Sequence, residues 1–378
     1  MSEVTNADVY EEVSEKDVDV ESIKCPNCGN NLKFNPKTQQ LFCEYCDTEV
    51  KFDQNFNYEE RDLFTALNST VEQWTETRVF LCENCGAKVV LKKTETATSC
   101  PFCGTPHVVP ITESAGIKPN VVVPFQIDKD SAIDELKKWA KKKLFAPKKF
   151  KKTISPENVK GIYLPCYTYD SQTASFYSGK IGKRHTRTVG SGKNRRTQTY
   201  IVWRYISGNF NRFFNDVTIT AGSKIDQKTL NKLGYRDASF NRVYDDEFLL
   251  GYMAYGAEKT LSDGWNDAKV AMDEILKKEI LSQYSYDVVS YLNVSTSHSD
   301  VTYKYVMLPV YVGNYKYGKK VYNFTVNGVT GNVTGKYPVS PVRVSIAVML
   351  GLAVVGGIVA LIYFNGGFEE VSLITQNL

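Results

Sequence analysis

Eight of the nine cysteines fall into four C-x-x-C pairs, and the pairs themselves recur. Cys25 and Cys28 are followed after fourteen residues by Cys43 and Cys46. Cys82 and Cys85 are followed after fourteen residues by Cys100 and Cys103, the first set displaced by 57 positions. Two thiolates two residues apart on a tight turn can grip one metal ion, and a second turn completes a tetrahedron of sulfur ligands. Gly29, Gly86 and Gly104 directly follow a second cysteine, where the knuckle bends back and a residue without Cβ takes positive φ. The runs between the pairs, Leu32-Lys33-Phe34 with Leu41-Phe42 and Lys88-Val89-Val90-Leu91, cannot bury a core alone. A bound ion would supply much of their folding free energy, roughly 10 kcal/mol or more. The spacing predicts two tandem zinc ribbons at residues 22–52 and 79–110, joined by a linker over 53–78, with two Zn2+ ions held by the eight cysteines. Disulfides, a rubredoxin-like iron site and redox-active pairs are the alternatives; the redox motif needs a thioredoxin-like βαβ context that is absent here. Four thiolates already fill each site, so His107 reads as a bystander.

The other end of the chain carries a second constraint. Ser345 to Phe364 is twenty residues without a charge. A helix of that length covers about 30 Å, the thickness of a bilayer's hydrocarbon core. No polar face exists in the run, which argues against a buried soluble helix and for a single transmembrane helix over 344–364. Small residues at Ala353 and Gly357, and at Gly356 and Ala360, suit close approach of a second helix. Lys336 and Arg343 precede the span while Glu369 and Glu370 follow it. The positive-inside rule therefore places residues 1–343 in the cytosol and the tail 365–378 outside. Reduced thiolates agree with a cytosolic N-terminal part, and the acidic start does not read as a signal peptide.

Between these ends the charge is segregated, so the net +4 says little. Residues 1–21 hold eight acids and one lysine and read as a disordered tail. Lys137 to Lys152 holds nine lysines; Ser171 to Asn215 holds nine lysines and arginines and no acid. Residues 117–340 read as an α+β domain. A strand at Val121–Phe125 precedes a helix capped by Asp130 or Ser131, with Ile133, Leu136, Ala140 and Leu144 on one stripe. Aromatic and β-branched runs around Phe176-Tyr177 and Tyr200–Trp203, joined by a glycine-rich tip at 190–194, predict a long basic hairpin. A helix from Gly264 to about Gln283 presents Trp265, Ala268, Met272, Ile275 and Leu276. Strands follow at Val288–Val294, Val301–Val312 and Val321–Val326, with a turn at Asn327-Gly328. Leu308-Pro309-Val310-Tyr311 echoes Leu164-Pro165-Cys166-Tyr167, each downstream of an amphipathic helix. The domain thus reads as an internal duplication of a helix-plus-antiparallel-sheet unit, with halves near 117–215 and 216–340. Cys166 reads as a small buried apolar residue.

No catalytic constellation emerges. Gly-Lys occurs at Gly179, Gly182, Gly192, Gly318 and Gly335, never followed by the serine or threonine of a phosphate-binding loop. There is no G-x-S-x-G or H-E-x-x-H, and His107, His185 and His298 are scattered. Asp245-Asp246-Glu247 is an acidic cluster of the kind that can bind a cation, but it reads first as a solvated turn. The expectation is a protein that is not an enzyme.

The Cys-Pro-x-Cys-Gly ribbons, the Leu-Pro-x-Tyr strand, Leu249-Leu250-Gly251-Tyr252 with Glu258, and the closing Val326-Asn327-Gly328-x-Thr330-Gly331…Gly335-x-x-Pro338-x-Ser340 carry a resemblance. Across most of residues 22–364 the chain resembles bacterial membrane-anchored proteins of the transcription-factor-IIB-type zinc-ribbon family, some of them labelled primosomal helicases. The helicase label has no nucleotide-binding loop behind it here. The resemblance implies a membrane complex that recruits phage-shock protein A and a virion-core-like, flotillin-related protein in an envelope-stress response. Cys166 stands where the family pattern leads one to expect a bulky aromatic. Two functions follow as expectations: a scaffold docking proteins at the cytoplasmic face of the cell membrane, or a tethered nucleic-acid binder. In the second, Lys183, Arg184, Arg187, Arg195 and Arg196 on the hairpin would meet phosphates. A solvated or lipid-facing surface for those five is favoured over nucleic acid, because an anchored domain sits beside an anionic leaflet.

Overall fold

The computed structural model describes residues 24–364 apart from 70–71, 76, 93–98, 107, 113–114, 153–158, 236 and 319; the acidic tail, His107 and the segment past 364 lie outside the described residues. In the first ribbon, β1 (Lys33–Asn35), β2 (Gln40–Phe42) and β3 (Glu49–Val50) form a small antiparallel sheet. Residues 53–78, expected as a linker, are tied into the body. β4 (Arg61–Asp62) leads into α1 (Leu63–Leu67), which Asp62 caps by accepting from the Thr65 N–H, and Leu63 and Trp74 are buried. The second ribbon consists of β5 (Thr77–Cys82), β6 (Lys88–Lys92) and β7 (Val108–Ile111).

The body begins with β8 (Val121–Val122) and α2 (Lys129–Lys142). The cap of α2 is Asp128, not Asp130 or Ser131: its carboxylate accepts from the Ser131 N–H at 2.9 Å. Ile133, Leu136 and Ala140 are buried as the stripe requires, but Leu144 lies past the C-cap Lys143 and leaves the stripe. Then come α3 (Lys148–Lys152), β9 (Val159–Val189), β10 (Arg196–Thr220), α4 (Gln227–Leu233), β11 (Arg242–Val243), β12 (Met253–Tyr255) and α5 (Leu261–Ser282). The chain closes with β13 (Val288–Tyr317), β14 (Lys320–Asn327), β15 (Val333–Gly335) and α6 (Pro341–Phe364).

Three long antiparallel strands organise the body. At about 3.3 Å per residue, the 31 residues of β9 reach about 100 Å. β10 returns along one edge of β9 from Arg196 opposite Val189 to Thr220 opposite Cys166, which is the expected hairpin. β13 runs along the other edge, from Val288 opposite Gly182 to Gly313 opposite Val159. The runs expected as two strands, Val288–Val294 and Val301–Val312, are one strand. An irregularity between Ser299 and Thr302, where Asp300 takes φ 49°, bends the ladder without ending it. α5 starts with a capping box between Thr260 and Asp263 and buries Trp265, Ala268, Met272 and Leu276. Its start is pinned by the Tyr169 hydroxyl, which donates to the Leu261 carbonyl at 2.8 Å.

The pairing geometry carries the internal repeat. Leu164 and Leu308 lie directly opposite one another, so the two Leu-Pro-x-Tyr copies cross about a local two-fold. β12 pairs parallel to β9 at Ile162 and Tyr163; β8 pairs parallel to β13 at Val306 and Met307. β10 joins β9 at Cys166, and β14 joins β13 at Val310. Position 162 thus matches 306 and 166 matches 310, a constant shift of 144. Each unit is a short strand, a helix, a long strand and a return strand. Each lends its short strand to the other unit's long strand, which locks the halves together.

Both ribbons are fused to this body. β12 pairs with β6 through Ala254–Val90 and Tyr255–Val89, making the second ribbon an extension of the main sheet. The first ribbon docks by its aromatics: Phe34 and Phe52 lie 5.3 and 4.8 Å from the Phe248 ring, and the Phe34 N–H donates to the Leu250 carbonyl. The architecture is α+β with two four-cysteine clusters and one apolar C-terminal helix. That helix, over Pro341–Leu361, is long and apolar enough to cross a membrane, and none of its most apolar stretch is buried.

Candidate metal centres

All four C-x-x-C turns close in the same way. The N–H of the first cysteine donates to the carbonyl five residues on: Cys25 to Asn30, Cys43 to Thr48, Cys82 to Ala87 and Cys100 to Thr105. The N–H four residues on donates back to that cysteine's carbonyl, from Gly29, Asp47, Gly86 and Gly104. This donor sits at φ 74°, 55°, 71° and 74° respectively. Three knuckles use the expected glycine; the fourth uses Asp47, because aspartate tolerates the left-handed region better than most residues.

The turns aim four sulfurs inward in each ribbon. Cys25–Cys46 and Cys28–Cys43 are 3.5 and 3.4 Å apart, Cys82–Cys103 and Cys85–Cys100 3.6 and 3.7 Å. All four Sγ atoms of each set lie within 4.8 Å of one another. A metal–sulfur bond of about 2.3 Å in a regular tetrahedron requires edges of about 3.8 Å. These pairs are well beyond the roughly 2.0 Å of a disulfide. Each cage therefore fits one tetrahedral ion, and its four thiolates leave no coordination position open. A bound dication would hold all four sulfurs deprotonated and cross-link the two knuckles of its ribbon.

The surroundings differ between the cages. In the first, the Thr48 hydroxyl lies 3.1 Å from Cys46 Sγ and, with the Thr48 N–H, brings that thiol down to about 6. In the second, burial works against Cys103, but the Asn84 side chain and the Thr105 N–H outweigh it and bring the thiol to about 7. Burial pushes its partner Cys100 well up. Lysines reach this second cage from the body: Lys224 Nζ donates to the Cys85 carbonyl, and Lys160 Nζ to the Ser99 hydroxyl beside Cys100. Asn314 of β13 donates to the Phe102 carbonyl, and the Phe102 ring meets Tyr255 edge-on at 5.1 Å. The second centre is thus set against the sheet, whereas the first keeps Cys28 and Tyr45 exposed to solvent.

A third cluster was not read from the sequence. Glu60, Asp170 and Asp216 converge from three distant segments, and Lys304, only 2% exposed, occupies their centre. Its Nζ lies 2.6 Å from both Glu60 and Asp216. Burial would lower Lys304, but the Asp216 and Glu60 carboxylates raise it to about 12. Burial pushes Asp170 up to about 6, against the pull of the Asp216 N–H and Lys304. An ammonium already pairs with two of these carboxylates at their centre, so the group is an internal ion-pair network. Asp245-Asp246-Glu247 is also structural: Asp245 caps a short turn, and Asp246 accepts from the Tyr244 hydroxyl and the Trp74 indole N–H. Cys166 is buried in the β9 core, and burial raises its thiol far above the ordinary range.

Lys183, Arg184, Arg187, Arg195 and Arg196 are exposed at the tip end of the β9–β10 hairpin. Lys183 donates to the Ser285 hydroxyl, and Arg187 donates to Gln198 and lies over the Tyr200 ring. β15, which feeds α6, pairs with β14, and β14 pairs with β13 where β13 ends opposite the start of β9. The basic tip is therefore at the other end of β9, more than twenty residues of strand from the root of α6. Strand alternation also exposes a row of large apolar side chains that the sequence reading did not separate. Tyr177, Ile181 and Ile206 are buried beside Ile280 of α5, while Phe176, Trp203, Tyr205 and Phe213 point from the opposite face into solvent.

Comparison with known proteins bears on the whole chain. It is 27% identical over 325 residues to the uncharacterized protein YdjG of Bacillus subtilis (strain 168), covering 86% of this chain and 92% of that protein. The likeness therefore extends far beyond the ribbons. No family model and no solved structure matches the chain.

Proposed function

We propose that this chain is a non-enzymatic, single-pass membrane scaffold whose two zinc-loaded ribbons and body dock partner proteins at the cytoplasmic face. The observation that carries the reading is α6: an apolar helix with no part of Pro341–Leu361 buried, attached directly to a body that bears two closed four-cysteine cages. Such a helix needs a non-aqueous surrounding, and a closed tetrahedral site suits structural support rather than chemistry at the metal. Zinc is the ion that most often fills such a ribbon; Lys336 and Arg343 before α6 orient the body to the cytosol. The exposed Phe176, Trp203, Tyr205 and Phe213 supply the large apolar area typical of a docking surface. By resemblance, the partners are phage-shock protein A-like and flotillin-related proteins in an envelope-stress response. In-cell crosslinking followed by purification from membranes tests this. Cys25→Ser or Cys82→Ser should each lose at least one partner, and an unchanged partner set in both variants contradicts the scaffold.

A second reading is favoured at the hairpin tip alone. Its basic residues are remote from the α6 root, and Tyr200 and Trp203 beside them offer stacking faces. Nucleic-acid binding there should show a steep salt slope that Arg195→Glu with Arg196→Glu abolishes; salt-insensitive or absent binding removes this reading.

A further inference from the structure

A lysine run at 137–152 flanks the turn between α2 and α3. Lys137 and Lys138 are ion-paired to Asp134 and Glu135 within α2. Lys141, Lys142, Lys148 and Lys149 are exposed. Lys143 lies over the Trp139 and Tyr337 rings, 4.7 and 5.4 Å from their centroids. Between these lysines the α2–α3 turn presents Leu144 at 76% exposure and Phe145 at 38%. The turn is held from beneath, because Ala146 and Phe150 are buried in a cluster with Tyr315. Two large apolar side chains are thus fixed outward among cations.

The same turn grips the root of α6. The Phe145 carbonyl accepts from the Ser340 N–H at 2.8 Å, and the Leu144 carbonyl accepts from Arg343 Nη1 at 2.9 Å. Wherever the first turn of α6 sits, this turn sits at the same level. For a spanning helix that level is the headgroup zone, where aromatic side chains and lysines with apolar stems are favoured.

We infer that the α2–α3 turn is a lipid-binding collar: Leu144 and Phe145 enter the headgroup region of the leaflet that α6 enters, and Lys141, Lys142, Lys148 and Lys149 contact the phosphates of anionic phospholipids. This rests on the membrane-spanning reading of α6. The occupant is lipid rather than free phosphate, because free phosphate makes no use of Leu144 and Phe145. A lysine close to an anionic leaflet is worth about a fivefold gain in association.

The test uses the full-length chain in vesicles of equal parts phosphatidylglycerol and phosphatidylcholine. Phe145→Trp should add emission that lipids brominated near the headgroup quench. Lipid co-purifying with the protein should be enriched in phosphatidylglycerol by about fivefold or more over the bulk. The Lys→Gln variant at 141, 142, 148 and 149 should return that ratio to the bulk value while keeping its full metal content. A chain that resists alkaline carbonate extraction but shows no added quenching, or an unchanged lipid ratio in the lysine variant, overturns the collar and leaves the spanning helix standing. Release by carbonate overturns both.

Discussion

Three of the four knuckles turn on a glycine and the fourth on Asp47, and this difference is measurable. Nothing lies within 4 Å of a Cβ built on Gly86, so Gly86→Ala meets only the backbone cost of a left-handed φ. It should destabilise the second ribbon by about 1 kcal/mol, whereas Asp47→Gly should be neutral or slightly stabilising; pulse proteolysis of the metal-loaded chain compares them. The glycines were legible because only glycine takes positive φ freely. Asp47 was not, because aspartate is common at turns of many kinds. The Lys304 network was invisible for a different reason: its members are up to 244 residues apart and meet only through strand register. Lys304→Met would strand three carboxylates and should cost about 3–5 kcal/mol. Asp170 behaves the opposite way. Its folded-state value is raised, so its favourable contribution is complete below its unfolded value and is lost as pH climbs through about 6. Asp170→Asn should therefore gain on the wild type by about 1–2 kcal/mol between about pH 4 and pH 7. A stability difference that does not change with pH contradicts this assignment.

Among the elements, those with strong local periodicity were readable. The stripes of α2 and α5 follow helical spacing, and the hairpin tip is marked by glycines. Strand lengths were not readable, because beyond the core both faces of β9, β10 and β13 meet solvent and hydrophobic alternation fades. The break expected between Val294 and Val301 reflected a polar, serine-rich stretch, but pairing with β9 resumes after the bend at Asp300 and keeps it one strand. The Leu-Pro-x-Tyr echo was legible, while the exchange of short strands between the two units was not. That exchange makes Cys166 and Val310 equivalent positions, both fully buried. Cys166→Val should therefore be accommodated at a cost under about 1.5 kcal/mol, with both metal centres retained. A larger loss in thermal melting would show that the two sites are packed differently.

At the scale of the molecule, one sheet joins three otherwise separate features. The second ribbon extends it through β12 and β6, the first ribbon packs on it through Phe34, Phe52 and Phe248, and α6 leaves from the end where β14 and β15 lie. The sequence pattern located both ends of this chain but treated the ribbons as beads on a linker; buried Trp74 and Leu63 instead tie the intervening segment into the body. Zinc-loaded ribbons, as proposed, require each cage to close four sulfurs around one ion. X-ray absorption with elemental analysis of the full-length chain, purified anaerobically from membranes, tests this most directly. The account predicts two zinc ions per chain, each with four sulfur neighbours at about 2.3 Å. Fewer than two ions per chain, or nitrogen or oxygen in the coordination shell, would contradict it.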